Sequence, residues 1–122
     1  MSANPSSISM GERSAAIKSR MNNRFEAAFA EKIGAQYAVT FNSGTGTLHA
    51  ALDAVGVSYG DEVITSPFTV ISNLDVILAQ NAIPVFADID PETFNIDPED
   101  VARKITPKTK AIMPISLYGL SC

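Results

Sequence analysis

The residues whose types and spacing could do chemistry lie in one short run, from Ser43 to Gly46. This run of small and hydroxyl-bearing residues separates a β-type pattern at Tyr37–Phe41 from a helical pattern that starts near Leu48. The first turn of a helix leaves backbone N–H groups without partners, and the helix dipole adds partial positive charge there. Glycines allow an anion to approach that backbone closely. The pattern predicts a phosphate site near Thr45 and Gly46.

The glycine spacing alone does not identify the molecule that carries the phosphate, and ordinary turn chemistry remains an alternative. A dinucleotide-binding turn has a third glycine and an acidic residue at the right distance, which this segment lacks. A Walker loop continues with Gly-Lys-Ser or Gly-Lys-Thr, which is also absent from the sequence. These two common nucleotide-binding motifs are therefore excluded at this turn.

Helical and strand patterns alternate along the chain. Helices are predicted at Ser14–Ile33 with Gly34 as C-cap, at Leu48–Val55, at Ile71–Leu78 with Asn81 near its end, and from the Asp97-Pro98 start to Ile105. Strands are predicted at Tyr37–Phe41, Glu62–Thr65, Ile83–Asp88 and Lys110–Leu117. This alternation predicts an α/β fold of right-handed βαβ units on a mostly parallel sheet. The apolar strands indicate helices on both faces, and residues 1–13 are expected to be loose.

The composition is that of a globular chain. Its 122 residues are 46% hydrophobic and 18% charged, with a net charge of −4. Because the nine Lys and Arg residues are scattered, no nucleic-acid partner is expected. No apolar run reaches membrane-spanning length and the start lacks an apolar signal core, so a cytoplasmic protein without a membrane partner is expected. The single cysteine, Cys122, leaves no intrachain disulfide or multi-cysteine metal site.

Several separate motifs occur in a characteristic order. They are Asn42 to Leu52, Gly60 to Thr65, Pro67 to Thr69, Ala82 to Asp90, Thr93 to Asp97, Ile105 to Ile112 and Leu117 to Gly119. Together they resemble the DegT/DnrJ/EryC1/StrS family of aminotransferases, which use pyridoxal 5'-phosphate (PLP) and act on nucleotide sugars. The resemblance covers roughly residues 24–119. It implies that residues 14–122 are the N-terminal part of the large domain of a fold type I PLP-dependent transferase.

The resemblance also implies which residues bind the cofactor. Backbone amides of Thr45 and Gly46 would hold the PLP phosphate, while Ser43 and Gly44 shape the turn. Val70, which follows the Pro-Phe-Thr motif, would lie against the pyridine ring. Relatives often have an aromatic residue at that position, and valine forfeits stacking worth roughly 0.5–1.5 kcal/mol.

No catalytic residue is predicted within the chain. The resemblance implies that two catalytic groups lie downstream of Cys122. They are the lysine that links to the cofactor and the carboxylate that pairs with the pyridine nitrogen of the cofactor. Ser116 stands where many relatives have histidine and is given no acid–base role. The sequence is therefore expected to be the N-terminal part of a longer protein, inactive alone. The five lysines match no catalytic motif and are interpreted as surface charge: Lys18, Lys32, Lys104, Lys108 and Lys110.

Other polar residues are interpreted structurally. His49 is expected to be packed or capped on its helix, and Asp88 and Asp90 to form a turn rather than a metal site. No metal ligand set is predicted. Three glutamates of the first helix are expected to face solvent: Glu12, Glu26 and Glu31.

The resemblance implies transamination of a nucleotide-linked keto sugar, with an amino donor such as glutamate, in surface polysaccharide or amino-sugar biosynthesis. It also implies a homodimer, in which Phe25 and Phe29 pack either at the interface or within the subunit. One alternative is a PLP-dependent sugar dehydratase of the same fold, in which histidine replaces the lysine, and another is a relative that acts on non-sugar ketones. The last is a non-catalytic truncated fold or interaction module.

Overall fold

A computed structural model describes residues 20–122 and divides the chain into two compact units, with the boundary in the sequence between Phe41 and Asn42. The predicted loose segment, residues 1–13, and the predicted helix start at Ser14 lie outside the described residues. The elements are α1 (Arg20–Ile33), α2 (Gly44–Ala54), β1 (Glu62–Thr65), α3 (Ser72–Ala79), β2 (Ile83–Phe86), α4 (Pro98–Lys104), β3 (Thr109–Met113) and a 3-10 turn (Leu117–Gly119).

The first unit contains α1 and the segment that follows it. Gly34 adopts φ 69° directly after the helix, which confirms the predicted C-cap because this conformation suits glycine. The Phe25 and Phe29 rings stack at 5.7 Å between centroids, and both side chains are exposed within this unit. Their packing at an interface or within the subunit stays a prediction.

The predicted strand at Tyr37–Phe41 is absent from the structure, and the predicted exposure of Glu26 is wrong. The Glu26 side chain is buried, and its Oε1 accepts hydrogen bonds of 2.8 Å from both Thr40 N and Thr40 Oγ1. A strand needs a neighbouring strand for its N–H groups, and among residues 20–41 there is none. Glu31 is exposed as expected, and Glu12 lies outside the described residues.

The second unit is built on a three-stranded parallel sheet in the order β2-β1-β3. The register pairs Ile64 of β1 with Val85 of β2 and with Ile112 of β3. Helix α3 connects β1 to β2, and α4 connects β2 to β3. The prediction of βαβ units on a parallel sheet is therefore confirmed, with three strands where the sequence predicted four.

Strand β1 supplies the core on both faces of this sheet. Val63 and Ile64 are fully buried, and because successive side chains of a strand project to opposite faces, each enters a different cluster. Burial contributes roughly 1.5–3 kcal/mol for each such side chain. The Val63 cluster contains Leu52 of α2 and Ile77 of α3, whereas the Ile64 cluster contains Val101 of α4. Helices thus cover both faces of β1.

Both edge strands end earlier than predicted. Strand β2 stops at Phe86: Ala87 N still donates to Thr65 O, but the next N–H on that side, from Ile89, donates to Asp88 Oδ1 at 2.8 Å instead of to β1. Strand β3 starts at Thr109 and stops at Met113, directly before Pro114, which has no N–H to donate.

The ends of α3 and α4 agree with their sequence signals. Asn81 follows α3 with φ 55°, a left-handed conformation that asparagine tolerates. Asp97 is the N-cap of α4, where its side chain accepts a 2.9 Å hydrogen bond from Glu99 N, and Pro98 is the first helical residue.

Asp100 is the centre of a charged network that joins α4 to the end of β2. Lys104 Nζ donates to Asp100 Oδ2 at 2.7 Å and to the Phe86 carbonyl at 2.6 Å, so this lysine is more than surface charge. Arg103 Nη2 donates to Asp100 Oδ1 at 3.0 Å. The Lys104 hydrogen bond, then the Asp88 N–H and then Arg103 lower the pKa of Asp100 to about 2.

This low pKa predicts how stability responds to acid. The unfolded chain has an ordinary aspartate pKa of about 3.9, so the Asp100 network stabilises the fold fully above about pH 4. That stabilisation is lost as the pH falls through about 2, where folded Asp100 becomes protonated. We expect Asp100→Asn to lower the urea midpoint at pH 7, with the gap to the unsubstituted protein closing toward pH 2. Asp53→Asn, at an exposed position of α2, is the control. A difference in urea midpoint that does not change with pH would contradict the low pKa of Asp100.

Candidate functional site

The first turn of α2 is held by a serine cap. Ser43 has extended backbone angles, and its Oγ accepts a 3.1 Å hydrogen bond from Gly46 N. The Ser43 carbonyl accepts from both Thr47 N and Thr47 Oγ1 at 3.1 Å. Among the described residues, the N–H groups of Gly44 and Thr45 have no partner. The two free donors at the positive end of this 11-residue helix are therefore those of Gly44 and Thr45. They differ from the predicted pair of Thr45 and Gly46, because Gly46 N already donates to Ser43 Oγ.

The two glycines of this turn have different surroundings. A Cβ added at Gly46 would lie 3.2 Å from Asn42 Oδ1 and 3.3 Å from Ser43 Oγ, closer than side chains normally approach. A Cβ added at Gly44 would meet nothing within 4 Å. The absence of a side chain at Gly46 therefore lets Asn42 and Ser43 approach the first turn of α2. Gly44 borders open space.

A cavity of about 470 Å³ adjoins this turn and brings Val70 to it. Its lining includes Gly44 and Thr45 from the first turn of α2, together with Val70 and Ser72. Val70 is 62% exposed, so its side chain is available for contact. Three of the five predicted cofactor residues, Gly44, Thr45 and Val70, therefore line one cavity, and Ser43 and Gly46 form the cap beside it.

A second cavity, of about 380 Å³, continues from Val70 along the carboxyl ends of the strands. It is lined by Phe68 and Thr69 from the loop after β1 and by Ile115 and Leu117 from the loop after β3. Val70 lines both cavities. Ligands of open α/β sheets bind at this edge, so the sheet places the candidate residues where such a site is expected.

Two buried asparagines support these loops, and sequence reasoning did not single out either. Asn73 donates from Nδ2 to Thr69 Oγ1 at 2.8 Å, which fixes the residue before Val70. Asn95 accepts from Leu117 N at 3.2 Å. Asn73 lies three positions before Val76 and four before Ile77, and both of these are buried. The sequence signal that could have identified it is therefore a polar residue on the apolar face of α3.

The remaining polar candidates line neither of the two cavities. His49 is exposed on α2, so its expected packing is not observed, and it lines neither cavity. Asp90 Oδ1 accepts from Glu92 N, Thr93 N and Thr93 Oγ1 at 2.8–3.0 Å, which confirms the turn. Hydrogen bonds from the Thr93 backbone and hydroxyl lower the pKa of Asp90. Ser116 Oγ lies 3.4 Å from Cys122 Sγ.

The donor set suits a phosphate and an apolar ring. Free backbone N–H groups at a helix N-terminus favour an anion, and Val70 with Leu48 gives the same cavity an apolar side. Within residues 20–122, no group of three or more His, Cys, Asp or Glu side chains is placed to hold a metal ion. No helix in that range is long and apolar enough to cross a bilayer.

Comparisons with known proteins identify relatives of this chain. GDP-perosamine synthase of Vibrio cholerae is 44% identical over 100 residues, which cover 82% of this chain and 27% of that protein. Spore coat polysaccharide biosynthesis protein SpsC of Bacillus subtilis is 50% identical over 99 residues, or 81% of this chain and 25% of that protein. The chain thus spans about a quarter of the length of these curated relatives.

A solved structure shares the fold. NtdA from Bacillus subtilis, with the bound cofactor PMP, superposes with a TM-score of 0.80 at 35% identity, over 83% of this chain and 23% of that one. The sequence profile of the DegT/DnrJ/EryC1/StrS aminotransferase family matches residues 9–122. The chain therefore belongs to the DegT/DnrJ/EryC1/StrS aminotransferase family.

Proposed function

We propose that this chain supplies the cofactor-phosphate side of a PLP-dependent aminotransferase that aminates a nucleotide-linked keto sugar. The observation that carries the proposal is the shared cavity of Gly44, Thr45 and Val70, which places free N–H donors beside an apolar side chain. In this proposal the phosphate binds at residues 43–46, and Val70 contacts the pyridine ring. PLP supplies the electron sink for the reaction when it is bound.

The relatives support the choice of substrate class. One is named as a synthase of GDP-perosamine, an amino sugar linked to a nucleotide, and another as a spore coat polysaccharide biosynthesis protein. PMP, bound in the NtdA structure, is the aminated form of PLP. We accordingly propose a nucleotide-sugar substrate, an amino-acid donor such as glutamate, and a cytoplasmic homodimer acting in amino-sugar or surface polysaccharide synthesis.

The residues of this chain would bind and orient the cofactor. The N–H groups of Gly44 and Thr45 neutralise phosphate charge, while Ser43 keeps the first turn of α2 in place through Gly46 N. Val70 limits the position of the ring and excludes water from that side. Attachment and proton transfer require a lysine outside residues 1–122 in this proposal.

The most direct test is the coding sequence beyond codon 122. We expect the frame to continue, with an aspartate at a strand end and a downstream lysine in the family's motif. Histidine in place of that lysine would favour a sugar dehydratase instead. A stop codon after Cys122 would overturn the proposed activity for this chain and leave a partial cofactor-binding fold.

The phosphate position is tested by a pair of cap variants in the protein that carries the whole frame. Aspartate and asparagine are comparable N-caps, so Ser43→Asp and Ser43→Asn should both preserve the fold. Only the aspartate adds negative charge beside the phosphate, and we expect it to weaken PLP binding at least about tenfold. Equilibrium dialysis measures the affinity and urea unfolding checks the fold. Equal affinities for the two variants would place the phosphate elsewhere.

The isolated chain is expected not to attach PLP covalently. None of its five lysines lies in the catalytic motif, and Lys104 is engaged by Asp100. We expect no visible absorbance of lysine-bound cofactor after mixing with PLP, and no specific adduct by mass spectrometry after borohydride reduction. A stable adduct at a single lysine would contradict the assignment of these side chains as non-catalytic.

A further inference from the structure

One short turn contacts both loops that border the second cavity. The turn spans Asp90 to Asn95 and is closed by two backbone hydrogen bonds, Asp90 N to Asn95 O at 2.9 Å and Phe94 N to Asp90 O at 2.8 Å. An isolated antiparallel bridge between Ile89 and Ile96 adjoins it. The turn is therefore held by hydrogen bonds of its own, in addition to its contacts with the two loops.

Phe94 contacts the loop that follows β1. Its ring centroid lies 6.1 Å from that of Phe68, with the rings tilted by 50°. Phe94 has φ 59°, a left-handed conformation that is rare for a bulky residue. Such a conformation persists only where the surrounding structure holds it, and it is found more often at functional sites.

Asn95 contacts the loop that follows β3. Its side chain is 7% exposed, and Oδ1 accepts from Leu117 N at 3.2 Å. Nδ2 donates to the carbonyls of Leu120 and Ser121 at 3.3 Å. One buried amide thus bonds three backbone groups of a loop whose other backbone hydrogen bonds run within the loop, such as those from Leu117 N to Ile115 O and from Leu120 N to Leu117 O.

The two contacts meet at the candidate site, because Phe68 and Leu117 both line the cavity that Val70 shares. We propose that Asn95 is a positioning residue: with Phe94, it sets the spacing between the loop that carries Val70 and the loop that carries Leu117. This inference rests on the proposed function only in identifying PLP as the occupant. Asn95 itself touches no reacting atom.

The first test needs no cofactor. In Asn95→Asp the side chain keeps nearly the same volume and can still accept from Leu117, but its carboxylate cannot donate to the two carbonyls and repels them. We expect amide hydrogen exchange at Gly119 and Leu120, whose N–H groups donate to Ser116 O and Leu117 O within the released loop, to become about tenfold faster, with exchange in β1 unchanged. Asp61→Ala is the control, because it removes two hydrogen bonds from Ser58 at the opposite end of β1. It should leave the Gly119 and Leu120 exchange rates unaltered.

The second test uses the PLP-loaded protein with its whole frame. We expect Asn95→Asp to alter the circular dichroism of bound PLP and to lower kcat/KM about tenfold, while Asp61→Ala changes neither. Phe94→Leu, at a partly exposed position where the fold should tolerate substitution, is expected to shift the same dichroism signal through loss of the Phe68 contact. This second variant tests the positioning role if Asn95→Asp does not fold.

The outcomes separate this inference from the proposed function. If the unsubstituted protein binds no PLP, the proposed function fails, whereas the hydrogen-exchange result still reports on the turn. If PLP binds and both turn variants keep the original dichroism and kcat/KM, the positioning role is overturned and the proposed function stands. Faster exchange with an unchanged cofactor signal would also overturn it, because the turn would then be only structural.

Discussion

The constraint on which the second unit depends is the burial of β1 from both faces. Val63 and Ile64 belong to separate clusters, so α2 and α3 must lie on one side of the strand and α4 on the other. Thr65, also fully buried, donates from Oγ1 to the Met113 carbonyl at 2.9 Å, which ties β1 to β3 through a side chain as well as through the ladder. The chain must then emerge at the carboxyl edge, where Val70 meets α2.

Local chemistry explains why α2 presents donors at that edge. A serine cap satisfies one N–H of the first turn and leaves two others free, so the cap stabilises the helix without closing its anion site. Gly46 permits the close approach of Asn42 and Ser43, and Gly44 leaves the adjoining space open. Residues 43–46 therefore serve both folding and the proposed binding.

Sequence reasoning succeeded where the signal is local. The limits of β1 follow from an apolar run between turns, and the start of α4 follows from the Asp97 cap and Pro98. It failed where the outcome depends on distant partners. Tyr37–Phe41 has strand propensity but no neighbour in the first unit, and Glu26 is buried because Thr40 supplies two donors. The supporting role of Asn95 depends on residues more than 20 positions away, which no local pattern reveals.

The capped turn of α2 also bears on the thermodynamics of recognition. Because Ser43 orders the first helical turn in the absence of a ligand, a phosphate that binds there does not have to pay for immobilising that backbone. The entropic cost is then confined to the ligand, and the release of water from two N–H groups offsets part of it. Such a preorganised anion site favours rapid capture, with little change in the local structure between the free and the occupied states.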